Sequence, residues 1–367
     1  MRKTIISAGH VCLDITPGFY HGAPNGIGTL LAPGKLVQTG AADIHTGGSV
    51  ANTGLALRFF GADAVLMGKV GDDDFGALIR ARLGEGIRVA AGEATSYSIV
   101  LAVPGLDRVF LHHTGANDSF SMDDIEYDRV ADACLFHFGY PPIMRGMYTN
   151  GGAALVEMFR RVKALGTATS LDMAAVDANA DAGRADWNGI LQSLLPYVDF
   201  FVPSVEELLF MLDKPKLSAL AASANGGNVT DVLDVQSDIA PLAEQALAYG
   251  AGAVLIKCGA RGLYFAAGNA LRLSNIGGGL GENAAAWQNA RHFEPSFVPD
   301  AIVSATGAGD TCIAAFLHSL SQNRPWRDCV TLAAAAGACC VTAYDALSGL
   351  LPFDAMEAKI AAGWARN

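Results

Sequence analysis

The sequence predicts an α/β fold in which a mainly parallel central sheet is flanked by helices. Short β-rich runs alternate with helical patterns along most of the chain, which is the pattern of successive βαβ units. Of the 367 residues, 51% are hydrophobic and only 17% are charged, so the chain has enough apolar side chains for a large core. This composition excludes a disordered chain, a coiled coil and a disulfide-stabilised miniprotein.

The elements are predicted from their hydrophobic patterns. The strands are expected at residues 4–8, 64–70, 133–138, 167–172, 197–202 and 253–258. The helices are expected at residues 50–60, 74–83, 152–165, 186–195, 204–212 and 239–249. Because the two sets interleave, most neighbouring strands are expected to run parallel.

Two alternating runs, residues 96–103 and 108–113, depart from this rhythm. A turn sequence at 104–107 joins them, which predicts an antiparallel hairpin. Together with the Gly/Pro-rich residues 17–33, the hairpin is expected to form a small β lid. The lid segments, approximately residues 15–45 and 95–118, would be inserted in a single domain of residues 1–367; the alternative is an edge hairpin without a gating role.

Two polar segments, residues 214–238 and 275–299, also interrupt the βα pattern and are predicted to be surface insertions. The glycine-rich residues 277–281 lie in the second segment. They follow no clear strand and lack the third glycine of a dinucleotide-binding loop, so they are not interpreted as a cofactor site.

The formal net charge of −11 disfavours nucleic acid and anionic membrane surfaces as partners. The N-terminal apolar stretch is too short for a secretory signal, and residues 329–344 are too few for a membrane span. Seven scattered cysteines with no C-x-x-C pair are typical of reduced, buried thiols. These features predict a cytoplasmic protein.

A glycine-rich turn at residues 304–311 (SATGAGDT) precedes the apolar run 312–320. A helix that begins there would present free N–H groups and a positive dipole end to a phosphate. Asp310, in the same turn, is placed to accept a proton from a hydroxyl beside a transferring phosphoryl group. The alternative is that Asp310 or Thr311 only caps the helix.

A second glycine-rich stretch, residues 46–54 (TGGSVANTG), precedes a predicted helix. Its paired glycines allow a ligand to approach the backbone, and Asn52 can point its amide toward a hydroxyl. Asp14, just after the first strand, would add an acceptor for two sugar hydroxyls. This chemistry suits a polyol, although Asp14 taken alone is also typical of a loop or capping residue.

These motifs resemble, in the same order, those of the ribokinase-like, PfkB-type carbohydrate kinases, and the resemblance covers nearly the whole chain. The first signature is carried by Gly47, Gly48, Asn52, Gly61 and Gly71-Asp72, and the second by Gly307, Ala308, Gly309 and Asp310. The resemblance implies that Asp310 is the general base and that the backbone of residues 307–309 forms an anion hole for the transferred phosphoryl group. It also implies sugar contacts from Asp14, Gly47, Gly48 and Asn52, and from Asn117 in a lid element.

The resemblance further implies a nucleotide site for ATP and magnesium. Its residues would be Lys257, Gly259 and Gly262 of a strand-end motif, Thr306 of the turn, and Ser204 and Glu207 of an Asn-x-x-Glu motif. Glu207 would help hold Mg²⁺ through water. Serine replaces the asparagine of that motif at position 204, which leaves a direct nucleotide contact open. Ser304 stands where many relatives carry an acidic residue of a monovalent-cation loop, so potassium activation is also open.

The expected function is ATP-dependent phosphorylation of a primary hydroxyl of a small neutral sugar, fructose before ribose, with a homodimer formed through the lid. A nucleoside kinase remains an alternative if Phe19, Tyr20 or Phe110 supplies an aromatic platform. A sugar-acid kinase would require Arg108 or Arg145 to reach a carboxylate. The alternative without enzyme activity is a catalytically silent, sugar-binding regulatory protein that has kept the fold.

Overall fold

The computed structural model describes residues 3–22, 26–106 and 108–367. Within them the strands are β1 (Ile5–Gly9), β2 (Cys12–Pro17), β3 (Ala42–Gly47), β4 (Ala64–Gly71), β5 (Ile87–Ala90), β6 (Tyr97–Leu101), β7 (Val109–His113), β8 (Leu135–Gly139), β9 (Ala168–Leu171), β10 (Phe200–Phe201), β11 (Ala253–Lys257), β12 (Gly262–Ala267) and β13 (Arg291–Pro295).

The α-helices of the same residues are α1 (Ile27–Leu30), α2 (Gly48–Phe59), α3 (Asp74–Leu83), α4 (Tyr127–Asp132), α5 (Arg145–Tyr148), α6 (Ala153–Ala164), α7 (Trp187–Leu194), α8 (Val205–Leu212), α9 (Lys214–Ala224), α10 (Ala240–Ala248), α11 (Ala270–Ser274), α12 (Gly281–Ala284), α13 (Ala308–Ser321), α14 (Trp326–Cys340) and α15 (Phe353–Ala361). No helix in this part of the chain is both long enough and apolar enough to cross a membrane.

The main sheet of the described chain has nine strands in the order β13-β12-β11-β10-β9-β8-β1-β4-β5. Its pairs from β5 to β11 are parallel. The pairs of β12 with β11 and with β13 are antiparallel, so β12 runs against the other strands of this sheet. The predicted α/β class with a mainly parallel sheet is therefore confirmed. Every predicted strand and helix is present, with ends that shift by three residues or fewer.

A second, four-stranded sheet has the order β3-β2-β6-β7. It contains the predicted hairpin, since β6 and β7 pair antiparallel from Tyr97 opposite His113 to Leu101 opposite Val109. Asp107 of the predicted turn and residues 23–25 of the predicted lid segment lie outside the described residues. The sheet begins at Cys12, three residues before the predicted lid boundary.

The interpretation of residues 275–299 as a surface insertion is wrong in part. The segment contains β13, an edge strand of the main sheet, and it buries Leu280 and Trp287 in the core beside α13 and α14. Sequence patterns missed β13 because an edge strand carries polar residues, here Arg291 and His292. The Gly277 and Gly278 backbones pack on the turns at Gly166 and Cys134. These turns precede β9 and β8, so they lie at the amino ends of the parallel strands, away from the predicted ligand motifs.

Two layers of apolar side chains cover the main sheet. One layer joins it to α13 and α14, and the other joins it to α6, α7, α8 and α10. The seven cysteines are free and buried, and all of them except Cys12 lie in these layers. Because both faces are covered, the carboxyl ends of the parallel strands remain as the natural position for a site.

Candidate active site

The helix α13 begins at the carboxyl edge of the main sheet, directly after the predicted glycine-rich turn. Gly307 caps it with a left-handed backbone at φ 75°, and a side chain there would collide with Ala346. The first N–H groups of a helix have no carbonyl in a preceding turn. Of the three predicted anion-hole residues, Ala308 already donates its N–H to the Ala305 carbonyl at 3.3 Å. The turn therefore offers an anion the N–H groups of Gly307 and Gly309, together with that of Asp310.

Asp310 lies in the first turn of α13 with only 3% of its surface exposed. Asn52 Nδ2 donates to its Oδ2 at 3.0 Å, and Thr53 Oγ1 donates to its Oδ1 at 3.3 Å. The Tyr140 hydroxyl lies 2.9 Å from Oδ1 and 2.8 Å from Oδ2. The two predicted signatures therefore meet at one carboxylate, although residues 52 and 310 are far apart in the chain.

The electrostatic setting suits a general base. Burial raises the pKa of Asp310, while the donors Asn52, Tyr140 and Thr53 and the charge of Lys257 oppose that rise. The net shift is upward, so the carboxylate binds a proton more readily than an exposed aspartate does. A base that must take a proton from an alcohol benefits from such a shift.

Lys257, at the end of β11, brings a positive charge to the same edge. Its Nζ lies 2.5 Å from Oδ1 of Asp172, which directly follows β9, two strands away in the sheet. Burial lowers the pKa of Lys257, but the carboxylates of Asp172, Glu207 and Asp310 more than offset this and raise it. The stem of Lys257 passes over Gly309. The ammonium group therefore lies beside the turn that would receive the transferred phosphoryl group.

Ser204 and Glu207 form a capping box at the start of α8. Ser204 N donates to Glu207 Oε2 at 2.6 Å, and Glu207 N donates to Ser204 Oγ at 3.3 Å. The predicted nucleotide contact by Ser204 thus competes with a capping role. The backbone of Ser204 also forms an isolated parallel β-bridge with Lys257. This contact places the Glu207 carboxylate near the Lys257 ammonium group.

The donor set fits a magnesium ion carried by a nucleotide. Among the described residues no group of three or more His, Cys, Asp and Glu side chains could hold a metal alone. Mg²⁺ bound with a phosphate substrate needs only one or two protein carboxylates and keeps several waters. Glu207 retains one carboxylate oxygen outside the capping box and is the residue placed to do this.

Asp14 lies in β2 of the second sheet, and the paired glycines Gly47 and Gly48 lie where β3 ends and α2 begins. Asp14 is opposite His45 in the register of β2 and β3, and its carboxylate rests on Gly47, where a side chain would collide with it. Burial raises the pKa of Asp14, and hydrogen bonds from Ser98 and Cys12 oppose the rise. The carboxylate is therefore held in a fixed position beside the start of α2.

Gly48 lies under the ring of His10, whose Nδ1 is buried without a hydrogen-bond partner. The His10 ring is 5.1 Å from the ring of His112 and 6.1 Å from that of Tyr140. These three rings form an aromatic row between Gly48 and Asp310. The predicted platform residues Tyr20 and Phe110 are instead 65% and 48% exposed.

The ligand contact predicted for Asn117 does not fit the structure. Asn117 is fully buried, and its Nδ2 donates to the carbonyls of Val11 at 2.9 Å and Thr114 at 3.0 Å. Its Oδ1 accepts from Val11 N at 3.1 Å. Both amide hydrogens are used, so Asn117 fixes the turn after β7 onto the end of β1.

The remaining predicted residues lie around the turn. Thr306 receives a hydrogen bond from Ser304 Oγ at 3.0 Å and donates its N–H to that oxygen at 3.2 Å. Arg108, from the second sheet, donates to the same Ser304 Oγ at 3.0 Å. Gly259 lies in the turn after β11 against Thr230, and Gly262 begins β12 against the Glu294 carbonyl; neither contacts Asp310 directly.

Sequence reasoning missed Tyr140, Asp172 and Thr53. Asp172 ends a predicted strand and Tyr140 lies two residues after another, and the carboxyl ends of parallel strands gather at one edge. That rule was sufficient to bring both residues to the site. Thr53 follows Asn52 in the quoted motif, but its proximity to Asp310 depends on how α2 packs on α13, which sequence spacing does not specify.

The comparisons with known proteins identify the family of the chain. Residues 11–352 match the pfkB family carbohydrate kinases. The chain belongs to this family. A ribokinase from Arabidopsis thaliana is 22% identical over 331 residues, covering 86% of this chain and 72% of that protein. A probable fructokinase-4 from the same plant is 26% identical, covering 38% of this chain and 41% of that protein.

A further relative is an ATP-dependent ribose-1-phosphate kinase of Halopiger xanaduensis, 30% identical over 36% of this chain and 44% of that protein. The matched regions thus span less than half the length of the fructokinase and this relative.

Solved structures share the fold. Arabidopsis thaliana ribokinase complexed with ribose and ATP has a TM-score of 0.70 at 18% identity, with 98% of each chain covered. Xylella fastidiosa fructokinase with bound ATP has a TM-score of 0.68 at 19% identity, with 99% of each chain covered. A putative ribokinase II from E. coli in complex with ATP and Mg²⁺ has a TM-score of 0.69 at 19% identity, covering 98% of this chain and 99% of that one.

Proposed function

We propose that this pfkB family member transfers the terminal phosphoryl group of ATP to a primary hydroxyl of a small neutral sugar. The observation that supports this most directly is the buried Asp310 carboxylate at the start of α13, with Asn52, Lys257 and the glycine turn around it. Asp310 takes the proton of the acceptor hydroxyl as its oxygen attacks the terminal phosphorus. The N–H groups at the start of α13 and the Lys257 ammonium stabilise the charge that develops on the phosphoryl oxygens.

Glu207 would hold Mg²⁺ through water, and the ion would neutralise charge on the nucleotide phosphates. Lys257, Gly259, Gly262 and Thr306 are proposed to line the nucleotide side of the site. Asp14, Gly47, Gly48 and Asn52 are proposed to contact the acceptor hydroxyls. The second sheet is proposed to act as a lid, and Arg108 is the side chain that links it to the turn at Ser304.

A neutral acceptor is supported by the charges near Asp14. Two arginines are the basic candidates to bind the carboxylate of a sugar acid. Arg108 already donates to Ser304 and lies over the Phe110 ring, and Arg145 is exposed. A carboxylate placed beside Asp14 would meet a negative charge. We therefore expect fructose, then ribose, to be used in preference to a sugar acid.

A nucleoside acceptor is the second candidate. The rings of His112 and Tyr140, which flank the buried His10 ring, are the observation that favours it, because accessible rings of this kind can stack on a base. ADP release measured with ATP-Mg²⁺ and a panel of fructose, ribose, 2-keto-3-deoxygluconate, adenosine and inosine separates these acceptors. Turnover with sugars alone supports the proposal, and turnover confined to nucleosides overturns the choice of acceptor.

A homodimer through the lid is proposed from the edge strand β7. Its side chains are exposed along the whole strand, and Phe110 and Leu111 are 48% and 55% exposed. An apolar edge strand of this kind is a template for pairing with a second copy. Sedimentation velocity of the chain and of a Leu111→Lys variant tests this, and a monomeric unmodified chain contradicts it.

A further inference from the structure

Tyr140 lies directly against the proposed general base, and the reaction described above makes no use of it. Its hydroxyl oxygen is 2.9 Å from one carboxylate oxygen of Asp310 and 2.8 Å from the other. An atom almost equally distant from both oxygens must lie between them, on the side facing away from the carboxylate carbon. That side carries the lone pairs from which a carboxylate normally accepts a proton.

The other acceptor positions of Asp310 are already used. Asn52 donates to Oδ2 and Thr53 donates to Oδ1, both from α2. Asp310 is almost fully buried, whereas Tyr140 is partly exposed. Tyr140 therefore covers the only side of the carboxylate from which an alcohol could approach in this structure, as far as the described residues show.

The local backbone holds the phenol in this position. Tyr140 adopts a left-handed backbone, φ 69°, between the end of β8 and the turn Pro141–Ile143. Bulky residues rarely adopt that conformation, and strain of this kind tends to persist at functional sites. Pro141 and Pro142 restrict the chain that follows, and the His10 ring lies on the neighbouring side at 6.1 Å.

We propose that Tyr140 occupies the position of the acceptor hydroxyl when no acceptor is bound, and thereby prevents Asp310 from activating water to hydrolyse ATP. The proposal rests on the proposed kinase function and deepens it. When an acceptor binds, its primary hydroxyl displaces the phenol from Asp310 and takes over the same hydrogen bond. The acceptor is distinguished from water because its further hydroxyl contacts compensate for the displaced phenol.

The two competing reactions differ only in the nucleophile. With the acceptor, its oxygen forms a bond to the terminal phosphorus, the bond to the bridging oxygen breaks, ADP leaves with that electron pair, and Asp310 takes the acceptor's proton. With water, the same bonds form and break, Asp310 takes a water proton, and the products are ADP and inorganic phosphate. Either route requires the side of Asp310 that Tyr140 covers.

The test compares ADP release from ATP-Mg²⁺ without any acceptor in the unmodified chain and in Tyr140→Phe. We expect hydrolysis to rise at least about tenfold, the equivalent of losing one hydrogen bond to a charged group. Tyr140→Asn, whose side chain tolerates a left-handed backbone, removes the ring as well and should raise hydrolysis further. Tyr127→Phe is the matched control, because the Tyr127 hydroxyl is buried without a partner.

If the proposal is correct, the faster ATP hydrolysis of Tyr140→Phe depends on the Asp310 carboxylate. In the double variant Tyr140→Phe/Asp310→Asn, hydrolysis should return to the level of Asp310→Asn alone. Persistence of the rise in the double variant overturns the proposal, because the water would then be activated elsewhere. If Tyr140→Asn does not fold, the comparison with Tyr140→Phe alone still decides the question.

A binding measurement without nucleotide provides a second readout. Calorimetric titration with fructose, or with ribose if the unmodified chain phosphorylates ribose instead, should show several-fold tighter binding to Tyr140→Phe, because the sugar no longer displaces the phenol.

Unchanged hydrolysis in Tyr140→Phe, in a protein that phosphorylates its sugar, refutes the role of Tyr140 and leaves the kinase function intact. Failure of the unmodified chain to turn over any acceptor refutes the kinase function itself.

Discussion

Replacing Asp310 by asparagine is expected to lower kcat by at least about a hundredfold, because general-base catalysis contributes roughly 10²–10⁴ and an amide cannot take the acceptor's proton. The fold should survive. Three side chains donate to the two carboxylate oxygens of Asp310. In Asp310→Asn an NH₂ group replaces one of these oxygens, so one donor would face another donor. The hydroxyls of Thr53 and Tyr140 can rotate to accept from this NH₂ group, which limits the loss of unfolding free energy to about 1–2 kcal/mol.

The assay is ADP release at saturating ATP and sugar, with nucleotide affinity measured separately by calorimetry. Asp328→Asn, an exposed carboxylate in the first turn of α14, is the control and should keep normal turnover. A folded Asp310→Asn protein with near-normal kcat would refute the assignment of the base.

The pH profile supplies an independent check of the same base. Burial raises the pKa of Asp310 above its ordinary value, and the carboxylate must be unprotonated to act. Activity should therefore be lost as the pH falls through that raised pKa, with the midpoint above the range of an exposed aspartate. The residual activity of Asp310→Asn should lack this acidic limb.

The remaining predictions concern the acceptor, the ion and the substrate charge. Asp14→Ala and Asn52→Ala should raise the KM for the sugar far more than the Kd for ATP, and separate titrations that show a selective loss of ATP affinity would reverse the assignment of the two sides. Potassium should stimulate turnover weakly or not at all, because the Arg108 guanidinium already donates to Ser304 Oγ; a large potassium-specific rise over sodium would contradict this. The kcat/KM for fructose or ribose should exceed that for 2-keto-3-deoxygluconate, and a preference for the acid that disappears in Arg108→Ala would show that Arg108 faces the acceptor.

Much of the fold follows from sequence pattern, because buried parallel strands and amphipathic helices have distinct hydrophobic periods. The elements that escaped prediction include two strands whose period is weak. The strand β2 carries Asp14, and the edge strand β13 carries Arg291, His292 and Glu294 around Phe293. Their pairing depends on contacts between distant segments, which no local pattern encodes.

The candidate site shows the same division. The glycine turns and Asp310 could be recognised because their chemistry requires small residues and a carboxylate in a fixed order. Asn117 was misjudged because a buried amide that bonds to backbone and an amide that contacts a ligand look identical in sequence. The strand-end rule places Tyr140 at the edge of the site, but its 2.8 Å contact with Asp310 also depends on a left-handed backbone that no local pattern predicts.

The measurement that tests the central claim most directly is the identification of product after incubation of the purified chain with ATP, Mg²⁺ and fructose or ribose. Mass spectrometry and coupled ADP release should show one sugar monophosphate formed per ADP, with the phosphoryl group on a primary hydroxyl, and Asp310→Asn should form this product at least about a hundredfold more slowly. A chain that binds ATP and sugar but forms no phosphorylated product, or whose product forms equally in Asp310→Asn, would contradict the account.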